Sequence, residues 1–205
     1  MEKVRVTKSL LDSWLYSFRK EDGYEDFLRT LQREKTPPTQ AMLDGTTYEN
    51  MLNNILNGEP LYMDNEFYDV LCEMACELQG SAQQVALFAD TVVDGVPTLL
   101  NGVLDYLIAG HIYDCKFTSN YHLNKYHWEY TAQTGMYLAL VPEAFDFTYI
   151  VCSKEKGGYY VCREKYPREI VPPIETTIRQ FFTYLQSHDL WEIFEEKWRV
   201  NNGQI

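Results

Sequence analysis

The sequence predicts an α/β domain with a central mixed sheet of about five strands flanked by helices. Apolar residues recur at helical spacing up to about residue 78 and again after residue 172. Between these regions lie runs rich in β-branched and aromatic residues, separated by the turn dipeptides Asp94-Gly95 and Ala109-Gly110. Helices before, within and after such strands are typical of a mixed α/β architecture.

The beginning of the chain is predicted to be helical. Thr7 and Ser9 are typical helix-capping residues, and apolar residues follow them at helical spacing from Leu10 to Leu15. Three further helices are predicted over Tyr24–Arg33, Gln40–Leu56 and Phe67–Leu78.

Five strands and two more helices are predicted after residue 80. The strands are Gln84–Val93, Thr98–Ile108, Ile112–Thr118, Phe145–Cys152 and Tyr159–Arg163, with Lys156-Gly157-Gly158 as the last turn. The helices are Leu123–Leu140, stopped near Pro142, and a final helix from Pro172-Pro173 through Trp198. We assign residues 1–205 to one domain, with an N-terminal helical segment over residues 1–40, a core over residues 41–170 and a C-terminal helix over residues 171–205.

The composition is that of an acidic chain that can bury a core. Its 205 residues include 18 Lys and Arg against 30 Asp and Glu, a formal net charge of −12, and 45% are hydrophobic. Such a chain is neither disordered nor fibrous. The charge argues against bulk electrostatic binding to nucleic acid, but it is compatible with a local basic track or with carboxylates that hold a cation.

The hairpin around Ala109-Gly110 carries the candidate chemistry. Because side chains alternate along a strand, Asp114 and Lys116 point to one face and Cys115 to the other. The turn folds Asp105 back towards Asp114. Two carboxylates beside a lysine suit a hard divalent cation and a phosphate substrate, although two exposed strand acids that pair with a lysine would give the same short pattern.

Two helices add polar residues to this pattern. Glu49 follows Gly45 on the helix before the strands and offers a third acid. Gln133 and Tyr137 are four residues apart, and Tyr126 and Tyr130 extend the same predicted helix face. This face is compatible either with half-buried packing or with donors and rings beside a phosphate site.

In order, these segments read GxxxE, GxxD, DxK and QxxxY, and this set resembles the PD-(D/E)xK nuclease superfamily. Within it, the chain is most similar to the RecB-type and CRISPR-associated exonuclease branch, over roughly Leu43 to Leu140. The resemblance implies a restriction-endonuclease-like core. A phage-type exonuclease is also compatible with it.

The resemblance implies a role for each matching residue. Glu49, Asp105 and Asp114 fall at the acidic metal-ligand positions, with Cys115 lending its backbone carbonyl. Lys116 falls at the catalytic lysine. Four polar residues are expected to bind substrate: Gln133, Tyr137, Tyr130 and Thr118. The implied cofactor is Mg²⁺ or Mn²⁺, as one or two ions.

The implied activity is that of a metal-dependent DNA nuclease, most simply an exonuclease in recombination, repair or phage DNA processing. The alternative is a catalytically silent nuclease fold that binds DNA or another protein. Basic residues near the motifs would contact DNA: Lys116, His122, Lys125, His127, Lys154, Lys156, Arg163 and Lys165. A monomer, a homo-oligomer and a complex with a recombination or annealing protein are all compatible with the sequence.

The cysteines and the apolar runs exclude other features. Five cysteines, Cys72, Cys76, Cys115, Cys152 and Cys162, lack the early single and late triplet that hold an iron–sulfur cluster in related nucleases, so we expect no cluster. No apolar run approaches the about 20 residues of a membrane span. We expect no membrane partner and a cytoplasmic location, in a bacterium or a phage-infected cell.

Overall fold

The sheet has six strands and is flanked by helices in the computed structural model, which describes residues 2–155 and 157–200. The predicted α/β fold with a mixed sheet is therefore confirmed. The strands are β1 (Val4–Thr7), β2 (Ala82–Val93), β3 (Val96–Ile108), β4 (His111–Thr118), β5 (Asp146–Glu155) and β6 (Gly158–Pro167). The helices are α1 (Lys8–Ser17), α2 (Gly23–Leu31), α3 (Gln40–Leu56), α4 (Tyr68–Leu78), α5 (Gln133–Leu140), α6 (Ile174–Ser187) and α7 (Trp191–Trp198).

The strand order is β1-β3-β4-β5-β6, and β2 pairs with β3 as well. The β1–β3 and β4–β5 pairs are parallel, whereas β2–β3, β3–β4 and β5–β6 are antiparallel. The turns between the three central strands have positive φ at Asp94, Gly95, Ala109 and Gly110, as expected of tight hairpins. The predicted meander is thus present.

Helices cover both faces of the sheet. On one face, α3 and α4 pack Leu52, Leu71 and Met74 against Tyr106 and Ile150 of the sheet. On the other face, α1, α5, α6 and α7 enclose a larger apolar core. This burial supplies most of the driving force for the fold.

The strand Val4–Thr7 was not predicted, so the segment over residues 1–40 is not entirely helical and the sheet has six strands rather than five. β1 pairs in parallel with β3 from Val4–Thr98 to Thr7–Asn101. Four residues are too few for an alternating pattern to stand out in a sequence. Thr7 does cap α1, since its side chain accepts from the Leu10 N–H at 3.2 Å.

The predicted helix Leu123–Leu140 is wrong in its first half, because α5 begins only at Gln133. The buried Glu164 carboxylate accepts the backbone N–H groups of Lys125 and Tyr126, and Asp12 accepts that of Ala132. Asn124 also has a φ of 63°. Side chains distant in sequence therefore take the amide groups that a helix would have used.

The predicted final helix is two helices rather than one. α6 ends at Ser187 and α7 begins at Trp191, and Asp189 between them has a φ of 57°. The break lets both helices place rings in the same core, where Phe181 lies 5.6 Å from Phe194 between ring centroids. A continuous apolar period does not reveal such a break, because both helices contribute to one core.

Two pieces of the prediction lie outside the described residues, namely Lys156 of the last turn and residues 201–205 of the C-terminal segment. Gly157 and Gly158, which complete that turn, both have positive φ. Over the described ranges, no helix combines the length and the apolar character that crossing a bilayer requires.

Candidate active site

The candidate site lies where the sheet opens beside β3. On one edge, β3 pairs with β1 up to Asn101 and with β4 only from Tyr106 onwards. Within the described strands, residues 102–105 therefore have no partner on that edge, and this gap is the GxxD segment. β4 turns away from β3 beyond Tyr113 but continues beside β5 as far as Thr118.

Asp105 and Asp114 face each other where the two strands separate. The last ladder pair is Tyr106–Tyr113, so Asp105 and Asp114 are the next two opposed residues. The Cys115 N–H donates to Asp105 Oδ2 at 3.1 Å instead of to the β3 backbone. The opening thus exposes a backbone donor to a carboxylate.

Asp114 is the most enclosed acid of the site, with only 2% of its surface exposed. Lys116 Nζ forms an ion pair with its Oδ2, and Gln133 Nε2 donates to its Oδ1. Oδ2 nevertheless accepts no hydrogen bond of regular geometry. The expected shared face of Asp114 and Lys116 is confirmed, and Gln133 reaches the same carboxylate from α5.

Glu49 reaches the site from α3, on which Tyr48 and Leu52 are buried. Gln84 Nε2 of β2 donates to Glu49 Oε1 at 2.7 Å. Burial, followed by the Asp114 carboxylate, raises the pKa of Glu49. The three acids are therefore electrostatic neighbours although they lie on three separate elements.

The electrostatics of the site are those of crowded carboxylates. Burial and then the Asp114 charge raise the pKa of Asp105 to about 8. Burial alone would lower the pKa of Lys116, but Asp114 and Asp105 together raise it above its usual value. At neutral pH, Lys116 is therefore charged. Without a bound metal, Asp105 is protonated in most molecules at the same pH.

The raised Asp105 pKa predicts a specific pH dependence of stability. Between pH 4 and pH 8 the unfolded chain has lost a proton that the folded protein retains, so stability must fall as the pH rises. In chelator, we expect the wild-type melting temperature to drop several degrees more between pH 6 and pH 8 than that of Asp105→Asn. An equal change in melting temperature between pH 6 and pH 8 for the two proteins would contradict this.

Tyr137 of α5 packs against β3 at Gly102, a position that has room for no side chain larger than that of glycine. A Cβ on Gly102 would lie 2.5 Å from Tyr137 Cε1 and 3.1 Å from Leu140 Cδ1. Gln133 and Tyr137 share a buried face of α5, as expected. The glycine of the GxxD segment thus lets α5 approach the sheet closely enough for Gln133 to contact Asp114.

Gly102→Ala is expected to push α5 away from the sheet and to weaken the Gln133–Asp114 contact. We expect a loss of about 1–3 kcal/mol in unfolding free energy, measured by denaturant titration, because the Tyr137 ring is buried and cannot simply rotate away. Gly45→Ala on α3 is the matched control, because a Cβ at that position would meet nothing within 4 Å. Equal effects of the two substitutions would contradict the packing role.

The other two predicted substrate-binding residues lie apart from this face. Tyr130 precedes α5, so the expectation that it shares a helix face with Gln133 is wrong. Arg19 covers its ring, with the guanidinium carbon 4.3 Å from the centroid. Thr118 lies at the end of β4, where its Oγ1 accepts from Lys125 Nζ at 2.8 Å.

The predicted basic residues do not form one free cluster. Arg163 is neutralised by Glu73 and Glu77 of α4, at 2.8 and 2.7 Å. Lys165 pairs with Asp146 at 2.8 Å, at the end of β5 away from Thr118. Lys125 is held by Thr118 and by the Asn120 carbonyl. Arg163, Lys165 and Lys125 are therefore already engaged by other groups of the protein, and fewer of the predicted residues remain to contact DNA phosphates.

The donor chemistry of the site fits a hard divalent cation, but its carboxylates are separately engaged. Glu49, Asp105 and Asp114 offer oxygen ligands, and the enclosed Asp114 Oδ2 lacks a regular donor. Among residues 2–155 and 157–200, no three His, Cys, Asp or Glu side chains are gathered as a ready metal cage. A cation would compete with Lys116 for Asp114.

Cys115 offers its backbone rather than its thiol. The side chain is buried on the opposite face of the sheet, with Tyr113 and Phe117, and burial raises the pKa of the thiol. The five cysteines are all free thiols. The absence of an iron–sulfur cluster stays a prediction.

The sequence reasoning missed two polar residues that shape the site. Gln84 contacts Glu49, and Glu164 holds the segment that leads from Thr118 to α5. The hydrophobic alternation of β2 conceals Gln84, because it stands where an exposed residue is expected. Glu164 gave no signal, since it directly follows the predicted strand Tyr159–Arg163, where an acid indicates solvent exposure rather than burial.

Comparison with known proteins supports the fold alone. No family model matches the sequence, and no curated protein matches it. A solved structure described as the crystal structure of SSO0001 is similar, with a TM-score of 0.55 and 15% sequence identity. The similarity covers 92% of this chain and 78% of that chain. At this identity the two proteins share a fold, and the likeness carries no statement about activity.

Proposed function

We propose that this protein is a Mg²⁺- or Mn²⁺-dependent deoxyribonuclease, most simply an exonuclease. One observation carries the proposal: Asp105, Asp114 and Lys116 meet at the opening of the sheet, with Glu49 as their electrostatic neighbour. When all three carboxyls are ionised, as metal ligands must be, they and the ammonium carry a formal charge of two negative, which matches a divalent cation. Core packing alone gives no reason to place so many charges there.

Each residue has a distinct role in the proposed reaction. Glu49, Asp105, Asp114 and the Cys115 carbonyl would hold the cation, which when bound supplies a Lewis acid for the phosphodiester and a water of lowered pKa. Gln133 orients the Asp114 carboxylate through its amide. Lys116 keeps a positive charge beside that carboxylate, where it can orient the attacking water and stabilise charge that develops on the phosphate.

The test of this function is incubation with end-labelled linear DNA and with circular DNA, in Mg²⁺, in Mn²⁺ and in chelator. We expect metal-dependent release of label from linear DNA and little change in closed circles. Cleavage of circles would favour an endonuclease. Absence of cleavage in every metal would contradict the proposal.

A catalytically silent fold that binds DNA or a protein is the second candidate. It is favoured by the ion pair between Lys116 and Asp114, which already neutralises one proposed ligand, and by the net charge of −12. Metal binding separates the two candidates. The silent fold predicts no calorimetric Mn²⁺ binding, whereas the nuclease predicts binding that depends on Asp114.

Glu49→Gln tests whether α3 belongs to the site. The substitution removes one negative charge, so we expect Mn²⁺ affinity to fall at least about tenfold, and cleavage at limiting metal to fall with it. The metal-free variant should melt no lower than the wild type, because a crowding charge is gone. Calorimetry and a Mg²⁺ titration of cleavage measure the two effects.

Asp44→Asn is the control for Glu49→Gln, because it removes one charge from an exposed position of the same helix. It should bind Mn²⁺ and cleave as the wild type does. Wild-type cleavage by Glu49→Gln across the whole Mg²⁺ titration would remove Glu49 from the site.

A further inference from the structure

Gln84 has a backbone conformation that the sheet does not require. It lies in β2 opposite Asp105, between the ladder pairs Gln83–Tyr106 and Val85–Leu104. Its φ is 50°, in the left-handed region that a glutamine rarely adopts inside a strand. The register is the same on both sides, so no inserted residue accounts for this distortion. Such strain persists where surrounding interactions impose it.

The side chain of Gln84 is exposed and contacts Glu49. Its Nε2 donates to Glu49 Oε1 at 2.7 Å, across 35 positions in the sequence. An exposed glutamine adds little to an apolar core, so packing does not explain the distortion. The contact joins β2, which pairs with β3 at the side of the main strand order, to helix α3.

Glu49 needs such a partner to hold one direction. It is half-buried on α3, whose residues 40–47 are largely exposed and whose anchors in the core are Tyr48 and Leu52. A free glutamate side chain at that position would sample several rotamers. A fixed amide donor selects the rotamers in which one carboxylate oxygen is engaged and the other is free.

We propose that Gln84 is a positioning residue, which holds the Glu49 carboxylate in the orientation that binds the metal. The proposal rests on the proposed function in one respect, that Glu49 is a ligand. It also explains the distortion of β2. The strained backbone at Gln84 places the side-chain amide where it can donate to Glu49 Oε1. Donors that orient a metal ligand typically change metal affinity by about 10- to 100-fold.

The test is calorimetric Mn²⁺ binding to Gln84→Gly and Gln84→Asn. Glycine adopts a positive φ without steric cost, and asparagine tolerates it, but neither side chain reaches Glu49 as glutamine does. We expect about tenfold weaker Mn²⁺ binding in both variants. The melting temperature of the metal-free Gln84→Gly protein should be no lower than that of the wild type, because the strain is relieved.

The same measurement in a Glu49→Gln background shows whether Gln84 acts through Glu49. There, Gln84→Gly should cause no further loss of affinity. Ala109→Gly is the control, since Ala109 has the same φ of 50° at the far end of the β3–β4 hairpin. It should leave Mn²⁺ affinity unchanged.

Three results would overturn the proposal: wild-type Mn²⁺ affinity in both Gln84 variants, an equal loss in the Glu49→Gln background, or a loss of affinity that follows a matching loss of thermal stability. Mn²⁺ binding with the expected pattern, but without DNA cleavage, would overturn the nuclease function and leave the role of Gln84 intact. A wild-type protein that binds no Mn²⁺ would overturn both.

Discussion

Asp114→Asn is expected to lower DNA cleavage by about 1000-fold and to abolish calorimetric Mn²⁺ binding. The substitution keeps the shape of the side chain but removes the charge that lies between Lys116 and Gln133. Because Asp114 is almost fully enclosed, water cannot replace the lost ligand. The circular dichroism spectrum should show a folded protein, since asparagine keeps the contact with Gln133.

Asp146→Asn is the matched control for this substitution. Asp146 is also a buried strand acid and also pairs with a lysine, Lys165, at 2.8 Å. It lies at the start of β5, three residues before Tyr149, the residue that pairs with Asp114, and its own neighbour on β4 is His111. Its loss should cost stability without loss of cleavage or Mn²⁺ binding. Similar losses of cleavage in both variants would show that Asp114 acts through the fold rather than through a metal.

The regular elements could be predicted because local rules decide them. The bounds of α3 agree with the prediction at both ends, Gln40 and Leu56, because Thr39 caps the helix and apolar residues recur along it. The β2–β3 and β3–β4 turns agree as well, since Asp-Gly and Ala-Gly supply the positive φ that tight hairpins need. In these places the sequence and the fold favour the same conformation.

The segment before α5 could not be predicted because distant residues decide it. Its tyrosines continue the helical period of α5, yet Glu164 and Asp12 bind its backbone amides. Glu164 lies 39 positions from Lys125, and Asp12 lies 120 positions from Ala132. No local window contains both partners.

The part of the candidate site that depends on side-chain alternation along one strand could be predicted. The part that depends on how several strands pair with β3 could not. The period of two places Asp114 and Lys116 on one face, and the structure brings them into contact. The parting of β3 from β4 follows from how β1, β2 and β4 share β3. That sharing depends on β1, a strand whose four residues gave no signal. The strained Gln84 opposite Asp105 contacts Glu49 across 35 positions, so no local pattern announces it.

Lys116 and a bound metal ion would compete for the same atom of this site, Asp114 Oδ2. The ammonium pairs with Asp114 Oδ2, and the acids around it keep it charged. A cation that binds Asp114 must therefore displace Lys116 from that oxygen or share it. Displacement would free the ammonium to face the substrate, so binding of metal and readiness of the lysine are coupled.

Lys116→Gln is therefore expected to separate metal binding from cleavage. Cleavage should fall by about 1000-fold, because no positive charge remains to act on the attacking water or the phosphate. Mn²⁺ affinity should equal or exceed that of the wild type, because the competitor for Asp114 is gone.

The thermal stability of the same variant gives a second test. Metal-free Lys116→Gln should melt at a lower temperature than the wild type, since Asp114 loses its counter-charge, and Mn²⁺ should restore the lost stability. Lys165→Gln, which removes the lysine partner of Asp146 and leaves His111 beside it, should lose stability that Mn²⁺ does not restore. If Lys116→Gln loses Mn²⁺ binding to the same extent as Asp114→Asn, the lysine is part of the cation site itself and its separate role in cleavage is wrong.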